Sequence, residues 1–389
     1  MFKGGDMKNI YFFIGTEAEL MKMFTTIREL KLRGYRCIIV SSGQNEIHNS
    51  LFLELAGCNI DIDLSQYAPE VKSAKNYISW LFNTRKYGVK VMKEQLPAGG
   101  REDCLWIVHG DTLSTLLGAQ IARKTGIKYM HVESGPRSFS LLSPFPEEID
   151  RYYASKYSVV NFCPQKIYAE YAEKRFKGKA VNTYYNTGIE TLNYAIKENR
   201  ENSHPRIVEE KYFLLAIHRQ ENLYNKEYMV KLFTKIIELS DKMKCVFIYH
   251  EQTKDALVRY NLWDKVNSDK NICIIKRRPY VEFIDLVDKA EFVIADGCGN
   301  QQEFYYLGKP YLIMRLKVEK DSEGVGWNAE CFGNKFNMID YFYNNYQKYR
   351  KSPVVMEKSP SVIIADSIDD YFAKGGGEID GEGWEKRSD

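Results

Sequence analysis

Short apolar runs alternate with longer stretches of helical periodicity along the first part of the chain. The run NIYFFIG at 9–15 precedes AELMKMFTTIRELKLRG at 18–34, and RCIIVSSG at 36–43 precedes EIHNSLFLELAG at 46–57. A short apolar run bounded by turn residues is typical of a buried strand, whereas apolar positions three and four apart are typical of a helix. The alternation predicts βα units and therefore a parallel sheet.

The same alternation continues and then restarts in the second half of the chain. Further apolar runs follow in the order CLWIVHG, IKYMHVESG, SVVNFC, YFLLAIH, KCVFIYH, NICIIKR, EFVIADG and KPYLIMR. The chain has 389 residues, more than the roughly 250 to 300 at which a single hydrophobic core stops growing. The pattern therefore predicts two consecutive Rossmann-like, doubly wound α/β domains.

The boundary between these domains is expected near 186–211, where a helix is followed by a polar, proline-containing stretch. We expect a first domain at 1–187, a second at 188–358, a helix at 359–373 that returns to the first domain, and a disordered tail at 374–389. The tail is rich in glycine and charge, and it lacks the apolar residues that a core requires.

Charge and cysteine usage exclude several classes of protein. The 55 basic and 52 acidic residues leave a net charge of +3, too near balance to predict nucleic acid or a membrane surface as a partner. The eight cysteines form no CxxC pair, which predicts reduced thiols and neither a disulfide framework nor a metal site. No stretch of 18 apolar residues and no signal-peptide pattern occurs, so we expect a cytoplasmic protein.

Polar side chains follow directly after several of the predicted strands. The segments are VHGDT, HVESG, AIHRQEN, IYHEQ and IADGCG. In open α/β sheets, ligands bind beyond the carboxyl ends of the strands. Each segment alone could be an ordinary polar loop, but five together predict a ligand site in a central cleft between the two domains.

Several of these segments belong to a longer set with a specific order and spacing. The set comprises GTEAELMKM (15–23), VHGDTLSTLLGA (108–119), HVESGPRS (131–138), SPFPEEIDR (143–151), NTGIETL (186–192), AIHRQEN (216–222) and GNQQEFYYLGKPYLIMR (299–315). It resembles the non-hydrolysing UDP-N-acetylglucosamine 2-epimerases over about residues 9–370. The combination of GDT, HVESGPRS and PEE is specific, whereas the GT and glycine-rich pieces alone are weak signals.

The resemblance implies a GT-B type fold and a reaction on a UDP-sugar. It implies an epimerase that inverts C2 of a UDP-N-acetylhexosamine by eliminating UDP and adding it back after protonation from the other face. No cofactor is implied, and the expected partners are the UDP-sugar and a second copy of the chain in a homodimer. Such an enzyme would supply precursors for surface polysaccharide.

Three carboxylates and one histidine occupy the catalytic positions that the resemblance implies. Asp111, Glu133 and Glu147 would form the proton-transfer group, because inversion at carbon needs a base and an acid with separated pKa values. His218 would stabilise charge on the departing diphosphate. The residues themselves leave an alternative open, in which Asp111 caps a helix and Glu147 begins one.

A further group of residues would bind the substrate if the resemblance holds. The expected group comprises Lys22, Arg137, Arg151, Tyr280, Phe283, Gly297, Cys298, Gly299, Glu303 and Arg315. Lys22 would lie near the diphosphate and sugar, the two arginines would hold carboxylates or form the cleft wall, and Glu303 would contact the ribose. Tyr280 and Phe283 could equally be core aromatics at helical spacing.

This chain departs from the family's pattern near the expected nucleotide. Glu17 and Ala18 stand where Arg and Pro are usual, and Gly297, Cys298 and Gly299 replace a Ser-Gly-Gly turn. Gln302 replaces Glu, and 316–321 departs from Thr-Glu-Arg-Pro. A carboxylate in place of a cation disfavours an anion at the same place. We therefore hypothesise a nucleotide-sugar with a cationic or amino group opposite Glu17.

A second, allosteric UDP-sugar site is a weaker expectation. Gln44 and His250 match parts of such a site in bacterial relatives, whereas Asn45 stands in place of a histidine and no matching arginine is present at 67–80. Regulation by the substrate is therefore not expected.

Three other functions share the same sequence features. A glycosyltransferase of GT-B type and a hydrolysing epimerase would bind the same class of substrate, because fold alone does not determine function. A catalytically silent nucleotide-sugar binding protein would explain the altered phosphate turn, but it would have no need of three carboxylates near an anionic ligand.

Overall fold

The computed structural model describes residues 7–67, 74–96, 101–135, 147–202, 204–297, 301–315, 329–332 and 335–376. Contacts between Cα atoms divide the chain into two compact units. Unit 1 comprises Met1–Thr191 and Met356–Asp389, and unit 2 comprises Leu192–Val355. Most of the tail predicted to be disordered, 377–389, lies outside the described residues.

Unit 1 begins with six βα pairs and ends with a strand and a helix that continues into unit 2. In chain order the elements are β1 Asn9–Ile14, α1 Glu17–Leu32, β2 Arg36–Ser41, α2 Leu51–Ala56, β3 Ile60–Asp63, α3 Ala74–Gln95, β4 Cys104–His109, α4 Leu113–Thr125, β5 Lys128–Val132, α5 Glu147–Lys156, β6 Val160–Cys163, α6 Lys166–Arg175, β7 Lys179–Asn182 and α7 Gly188–Glu201.

Unit 2 repeats the alternation, and the last helix belongs to unit 1. The elements are β8 Tyr212–Ala216, α8 Gln220–Leu223, α9 Lys226–Ser240, β9 Lys244–Tyr249, α10 Glu251–Arg259, α11 Trp263–Asn267, β10 Ile272–Lys276, α12 Tyr280–Lys289, β11 Val293–Ala295, α13 Gln301–Tyr306, β12 Tyr311–Arg315, β13 Ala329–Phe332, α14 Asn337–Asn345 and α15 Pro360–Ala373.

Each unit contains one parallel sheet in a Rossmann-like strand order. Within the described residues the order is β3-β2-β1-β4-β5-β6-β7 in unit 1 and β10-β9-β8-β11-β12-β13 in unit 2. The order reverses between β1 and β4 and again between β8 and β11. Ligands of such sheets bind at the carboxyl ends of the strands beside this reversal. The prediction of two doubly wound α/β units is confirmed.

The central strands are apolar because both of their faces are covered. All six residues of β1 and of β4 are buried, and so are all five of β8. Strands buried on both faces read as continuous apolar runs rather than as alternating ones. This explains why the sequence pattern identified them.

The turn after β1 approaches the start of α4 closely. A Cβ atom on Gly15 would lie 2.0 Å from the Ser114 hydroxyl oxygen and 3.0 Å from that of Ser42. The missing side chain therefore lets the first turn of unit 1 contact α4, at the place where the strand order reverses.

Helix α15 packs on unit 1 through α1 and the start of α7. Arg33 bridges to Asp366 and Asp369 with N–O distances of 2.7 and 2.6 Å. The buried Glu190 carboxylate accepts hydrogen bonds from the Ser361 hydroxyl at 2.8 Å, from the Ser359 hydroxyl, and from Thr25 at 2.7 Å. Unit 1 is thus completed by a segment that follows unit 2 in the chain.

A search of the described helices found none with the length and apolar character needed to span a bilayer.

Candidate functional site

The first cluster of polar groups lies where the strand order of unit 1 reverses. Glu19 is buried in the first turn of α1, and one of its carboxylate oxygens accepts hydrogen bonds from the Gly15 and Thr16 amides at 2.6 and 3.2 Å. The other oxygen accepts one from the Thr112 hydroxyl at 2.5 Å. Burial raises the pKa of Glu19 above its ordinary value, although these donors oppose the shift. Glu19 thereby connects the turn after β1 to the start of α4.

Glu133 lies at the end of β5 between two cationic or potentially cationic groups. Its carboxylate is 2.8 Å from the Lys22 ammonium and 3.0 Å from His109 Nε2. Burial alone would raise the pKa of Glu133, but Lys22 and His109 outweigh burial and hold that pKa well below the ordinary value. Glu133 is therefore an ionised carboxylate in a largely buried place.

The backbone of Glu133 is strained in a way that directs its side chain. Its φ is +61°, a left-handed conformation that costs an L-residue about 1–2 kcal/mol. Strain of this kind clusters at functional sites, where surrounding contacts maintain it. Here the contacts with Lys22 and His109 hold the conformation.

Asp111 follows β4, the strand beside β5, and it pairs with Arg151 on α5. Its side chain is about one-third exposed, whereas Arg151 is mostly buried. The N-cap of α4 is Thr112. Its hydroxyl oxygen accepts a hydrogen bond from the Thr115 amide, and its own amide donates one to the Thr115 hydroxyl oxygen. The alternative in which Asp111 caps this helix is therefore wrong, and its carboxylate faces Arg151.

His131 is a structural histidine that supports the same loops. It is fully buried; Nε2 lies 2.7 Å from the Gly110 carbonyl oxygen, and Nδ1 lies 3.0 Å from the Ser155 hydroxyl. Burial lowers the pKa of His131 to about 3, so its ring stays neutral and connects the loop after β4 to α5.

Some of the predicted site residues cannot be placed. Arg137, Cys298 and Gly299 lie outside the described residues, and so do the side chains of Glu147 and Arg315. The backbone of Glu147 begins α5, and Arg315 ends β12.

The second cluster lies in unit 2, also where the strand order reverses. Asp296, directly after β11, is fully buried. Its carboxylate accepts hydrogen bonds at 2.9 Å from the His218 and Arg219 amides and from the Asn222 side chain. The Asp296 carboxylate therefore fixes the backbone of the turn that presents His218.

The His218 imidazole lies between a second histidine and a glycine. It stacks on His250 with ring centroids 5.0 Å apart and an interplanar angle of 25°. Burial, followed by the charges of His218 and Arg277, lowers the pKa of His250. His218 Nδ1 is 3.5 Å from the Asp296 carboxylate. A Cβ on Gly297 would lie 2.5 Å from the His218 Cε1 atom.

Two other predicted residues of unit 2 lie against each other. Glu303 in α13 is buried, and its carboxylate interacts with the hydroxyl of Tyr280 at the start of α12. Burial, together with Glu303, raises the pKa of Tyr280 well above its ordinary value. Phe283, one turn further along α12, is half-buried.

The two residues matched to an allosteric site lie in different units. In unit 1, Gln44 accepts a hydrogen bond from the Ser114 hydroxyl at 2.6 Å. In unit 2, His250 stacks on His218. Each therefore has a contact with a neighbour of its own unit.

Sequence reasoning missed three residues that organise these clusters. Glu19 was detectable, because Thr16 and Glu19 form the Thr-x-x-Glu capping box. Asp296 stood among the polar strand ends without an assigned role. His109 also stood among the polar strand ends, in VHGDT, without an assigned role.

Comparison with known proteins identifies a family that this chain matches. A family model described as UDP-N-acetylglucosamine 2-epimerase matches residues 28–330. The UDP-N-acetylglucosamine 2-epimerase of Methanocaldococcus jannaschii is 30% identical over 366 residues, which are 90% of this chain and 96% of that protein.

Solved structures agree in fold over nearly the whole chain. The M. jannaschii UDP-GlcNAc 2-epimerase in complex with UDP-GlcNAc and UDP is 28% identical with a TM-score of 0.75, covering 93% of this chain and 99% of that one. The Neisseria meningitidis enzyme bound to UDP-GlcNAc is 25% identical with a TM-score of 0.75, covering 95% and 100%. By the extent of these matches, the chain belongs to the UDP-N-acetylglucosamine 2-epimerase family and is an epimerase.

Proposed function

We propose that this enzyme interconverts UDP-N-acetylglucosamine and UDP-N-acetylmannosamine, or a closely related pair, by elimination and re-addition of UDP. Membership of the family supports the reaction class. The structures of the M. jannaschii and N. meningitidis enzymes with UDP-GlcNAc support the class of substrate.

The reaction is redox-neutral and needs only proton transfer and a stabilised leaving group. A base takes the C2 proton, the C1–oxygen bond to the diphosphate breaks, and a C1–C2 double bond forms while UDP leaves with the electron pair. A proton then reaches C2 from the opposite face, and the UDP oxygen adds back to C1. The product is an isomer of the substrate, with no net gain or loss of atoms.

Unit 1 supplies the proton-transfer group in this proposal. The observation that supports it most is the pair of carboxylates after the neighbouring strands β4 and β5, each with a different environment. Glu133 is largely buried and held ionised by Lys22 and His109. Asp111 is about one-third exposed, with Arg151 beside it. Proton transfer in both directions requires carboxyl groups in unlike environments.

Asp111 is assigned the role of the base because its side chain is about one-third exposed, whereas that of Glu133 is largely buried. Glu133 contacts the Lys22 ammonium and His109, which lower its pKa and so weaken its attraction for a further proton. Glu133 then holds Lys22 and His109 in place, and Glu147 is the remaining candidate for the acid.

Unit 2 supplies the groups that bind UDP. His218, supported by Asp296, would donate a hydrogen bond to the diphosphate and stabilise the charge that develops on it. Glu303 would accept from the ribose hydroxyls, and Tyr280 and Phe283 would line the uracil pocket. Gly297, Cys298, Gly299 and Arg315 would complete the diphosphate contacts, and Arg137 would contact the sugar side.

Within this class of substrate, the preferred sugar is proposed to be a related one that carries a positive or amino group. Glu17 is exposed in the first turn of α1, where an arginine would otherwise stand. Exchange of Glu17→Arg should raise kcat/KM for UDP-GlcNAc relative to an amino-substituted UDP-sugar. Equal effects on both substrates would refute the altered preference. Ala18→Pro is a control at the neighbouring exposed position.

The decisive experiment is proton NMR of the full-length protein with UDP-GlcNAc in D2O. The expected result is the manno epimer with deuterium at C2. Asp111→Asn should lower the exchange rate by about 100-fold or more, the usual contribution of a general base. Lys226→Met, an exposed substitution in α9 of unit 2, should leave the exchange rate unchanged.

Other outcomes of the same experiment identify the other functions. Free N-acetylmannosamine and UDP would indicate a hydrolysing epimerase, and UDP release that requires an added sugar acceptor would indicate a glycosyltransferase. Saturable binding without exchange, for UDP-GlcNAc and for related UDP-sugars, would indicate a silent binding protein. The proposal of a homodimer is tested by analytical ultracentrifugation.

A further inference from the structure

We infer that Asp296 and Gly297 are positioning residues for His218, and that the missing side chain of Gly297 defines where the imidazole lies. This inference rests on the proposed role of His218 at the diphosphate. It concerns the ring's location, which is measurable without substrate.

The first support is the space that the ring occupies. An ideal Cβ on Gly297 would lie 2.5 Å from His218 Cε1 and 3.0 Å from its Nε2. The third-nearest described atom to that Cβ, at 3.7 Å, is Nδ1 of the same ring. The φ of Gly297 lies outside the left-handed region. The His218 ring therefore occupies the space that a side chain at position 297 would take.

The second support is that the ring is held from its other sides. Asp296 accepts from the His218 amide at 2.9 Å and lies 3.5 Å from Nδ1, and His250 stacks on the ring at 5.0 Å. The Nδ1 atom is buried, whereas the side chain as a whole is 37% exposed. The carboxylate beside Nδ1 favours the tautomer with its proton on Nδ1.

The third support is that Asp296 holds several groups in place, whereas Gly297 lies against the His218 ring. Asp296 is fully buried and also holds Arg219 and Asn222, so a change there disturbs the whole turn. The described atoms nearest to a Cβ on Gly297 belong to the tip of the His218 side chain, which can move. Exchange of Gly297→Ala should therefore displace the His218 imidazole and leave the fold intact.

The test uses the imidazole signals of the chain's six histidines in nitrogen–proton correlation NMR, with His218→Ala to assign the ring. In Gly297→Ala we expect the His218 and His250 ring signals to shift and the His131 signals to stay. We also expect kcat to fall about tenfold, because a misplaced catalytic group loses much of its effect. Unchanged His218 ring signals in Gly297→Ala would overturn the inference.

A double-mutant cycle with His218→Ala provides the control for folding. Gly297→Ala should have no effect on thermal stability in the His218→Ala background, since the clashing ring is gone. If Gly297→Ala unfolds the protein in both backgrounds, glycine serves the backbone and the inference fails. If it unfolds only the His218-containing protein, the clash with the ring is established.

The same set of measurements separates this inference from the proposed function. A wild-type enzyme that shows no exchange at C2 defeats the proposed reaction, while the shift of the ring signals still reports the position of His218. Conversely, exchange with unmoved ring signals in Gly297→Ala supports the reaction and defeats the positioning role.

Discussion

At the scale of single residues, burial and neighbouring charges push the ionisable groups of this protein in opposite directions. Glu19 and Glu133 are both carboxylates of unit 1, yet the pKa of Glu19 is raised by burial and that of Glu133 is lowered by Lys22 and His109 against burial. Each direction follows from whether a positive charge accompanies the buried carboxylate. Two measurable consequences follow.

The pair of Lys22 and Glu133 should contribute to stability as well as to turnover. Exchange of Glu133→Gln leaves a largely buried ammonium without its carboxylate, and we expect a loss of about 3 kcal/mol in the free energy of unfolding. The double variant Lys22→Met, Glu133→Gln should recover part of this loss. Urea denaturation of the wild type and the two variants measures this loss, and a loss in the double variant as large as that in Glu133→Gln would contradict the pairing.

The same pair gives a pH dependence with a definite sign. Because the folded pKa of Glu133 is depressed, its stabilisation is fully present above its ordinary pKa of 4.5 and is lost as pH falls through the folded value. Glu133→Gln should therefore lose less stability on acidification than the wild type does. If the free energy of unfolding fell equally steeply on acidification in both proteins, the lowered pKa of Glu133 would be contradicted.

Lys309 should make the free energy of unfolding rise with pH on the alkaline side. Burial lowers its pKa from 10.5 to about 8, and its ammonium donates to the Asp288 and Ala290 carbonyls at 2.7 and 2.9 Å. Between these two pKa values the unfolded chain binds more protons, so this residue makes stability rise with pH. Lys309→Met should reduce this rise of the free energy of unfolding with pH, as measured by denaturant titrations at several pH values. The exposed substitution Lys226→Met should leave the rise unchanged.

At the scale of elements, the sequence pattern predicted the central strands more completely than the edge strands. The apolar runs identified every central strand, whereas β3, β7 and β13 gave no such run. These are three of the four edge strands of the two described sheets, and the fourth, β10, did give an apolar run. Strands β3 and β7 are largely half-buried or exposed. An edge strand needs fewer apolar residues because one side is not covered by a neighbouring strand.

The attachment of α15 to α1 and α7 depends on one buried carboxylate. Glu190→Ala would leave the Ser359 and Ser361 hydroxyls and Thr25 without their acceptor. Removing a charged hydrogen-bond acceptor from a buried place costs about 1.5–3 kcal/mol. We expect that loss in the free energy of unfolding, and faster proteolysis after α15. Glu201→Ala, at the exposed end of α7, is the matched control, and an equal loss there would contradict the assignment.

At the scale of the whole molecule, the two units differ in how many segments of the chain form them. Unit 2 is one stretch, Leu192–Val355, while unit 1 requires the returning segment that begins at Met356. The fragment 192–355 should therefore unfold cooperatively by itself. The fragment 1–191 should be less stable than unit 1 in the full chain by about 3 kcal/mol or more, since Ile364 and Ile368 of α15 are fully buried and each contributes about 1.5–3 kcal/mol.

Circular dichroism of both fragments during heating measures this difference. Addition of a peptide spanning 356–376 should restore the stability of the 1–191 fragment. A fragment 1–191 that melts at the same temperature with and without the peptide would show that α15 is not part of the core of unit 1.

The sequence by itself determined the fold class, the family and the order of the central strands. Continuous apolar runs arise wherever a strand is covered on both faces, and a motif such as HVESGPRS survives as a contiguous string. The matched residues Lys22, Glu133, Asp111 and Arg151 could be named in advance because they lie inside such strings. The membership of the epimerase family is the confirmed part of that reading.

Only the tertiary structure decided which of these residues are partners. Lys22 and Glu133 are 111 residues apart, and His218 and Asp296 are 78 apart, so no local pattern pairs them. The parallel sheets bring them together by aligning the ends of neighbouring strands. The directions of the pKa shifts, the strain at Glu133 and the space that Gly297 leaves for His218 all depend on burial and distance, which arise only when the chain has folded.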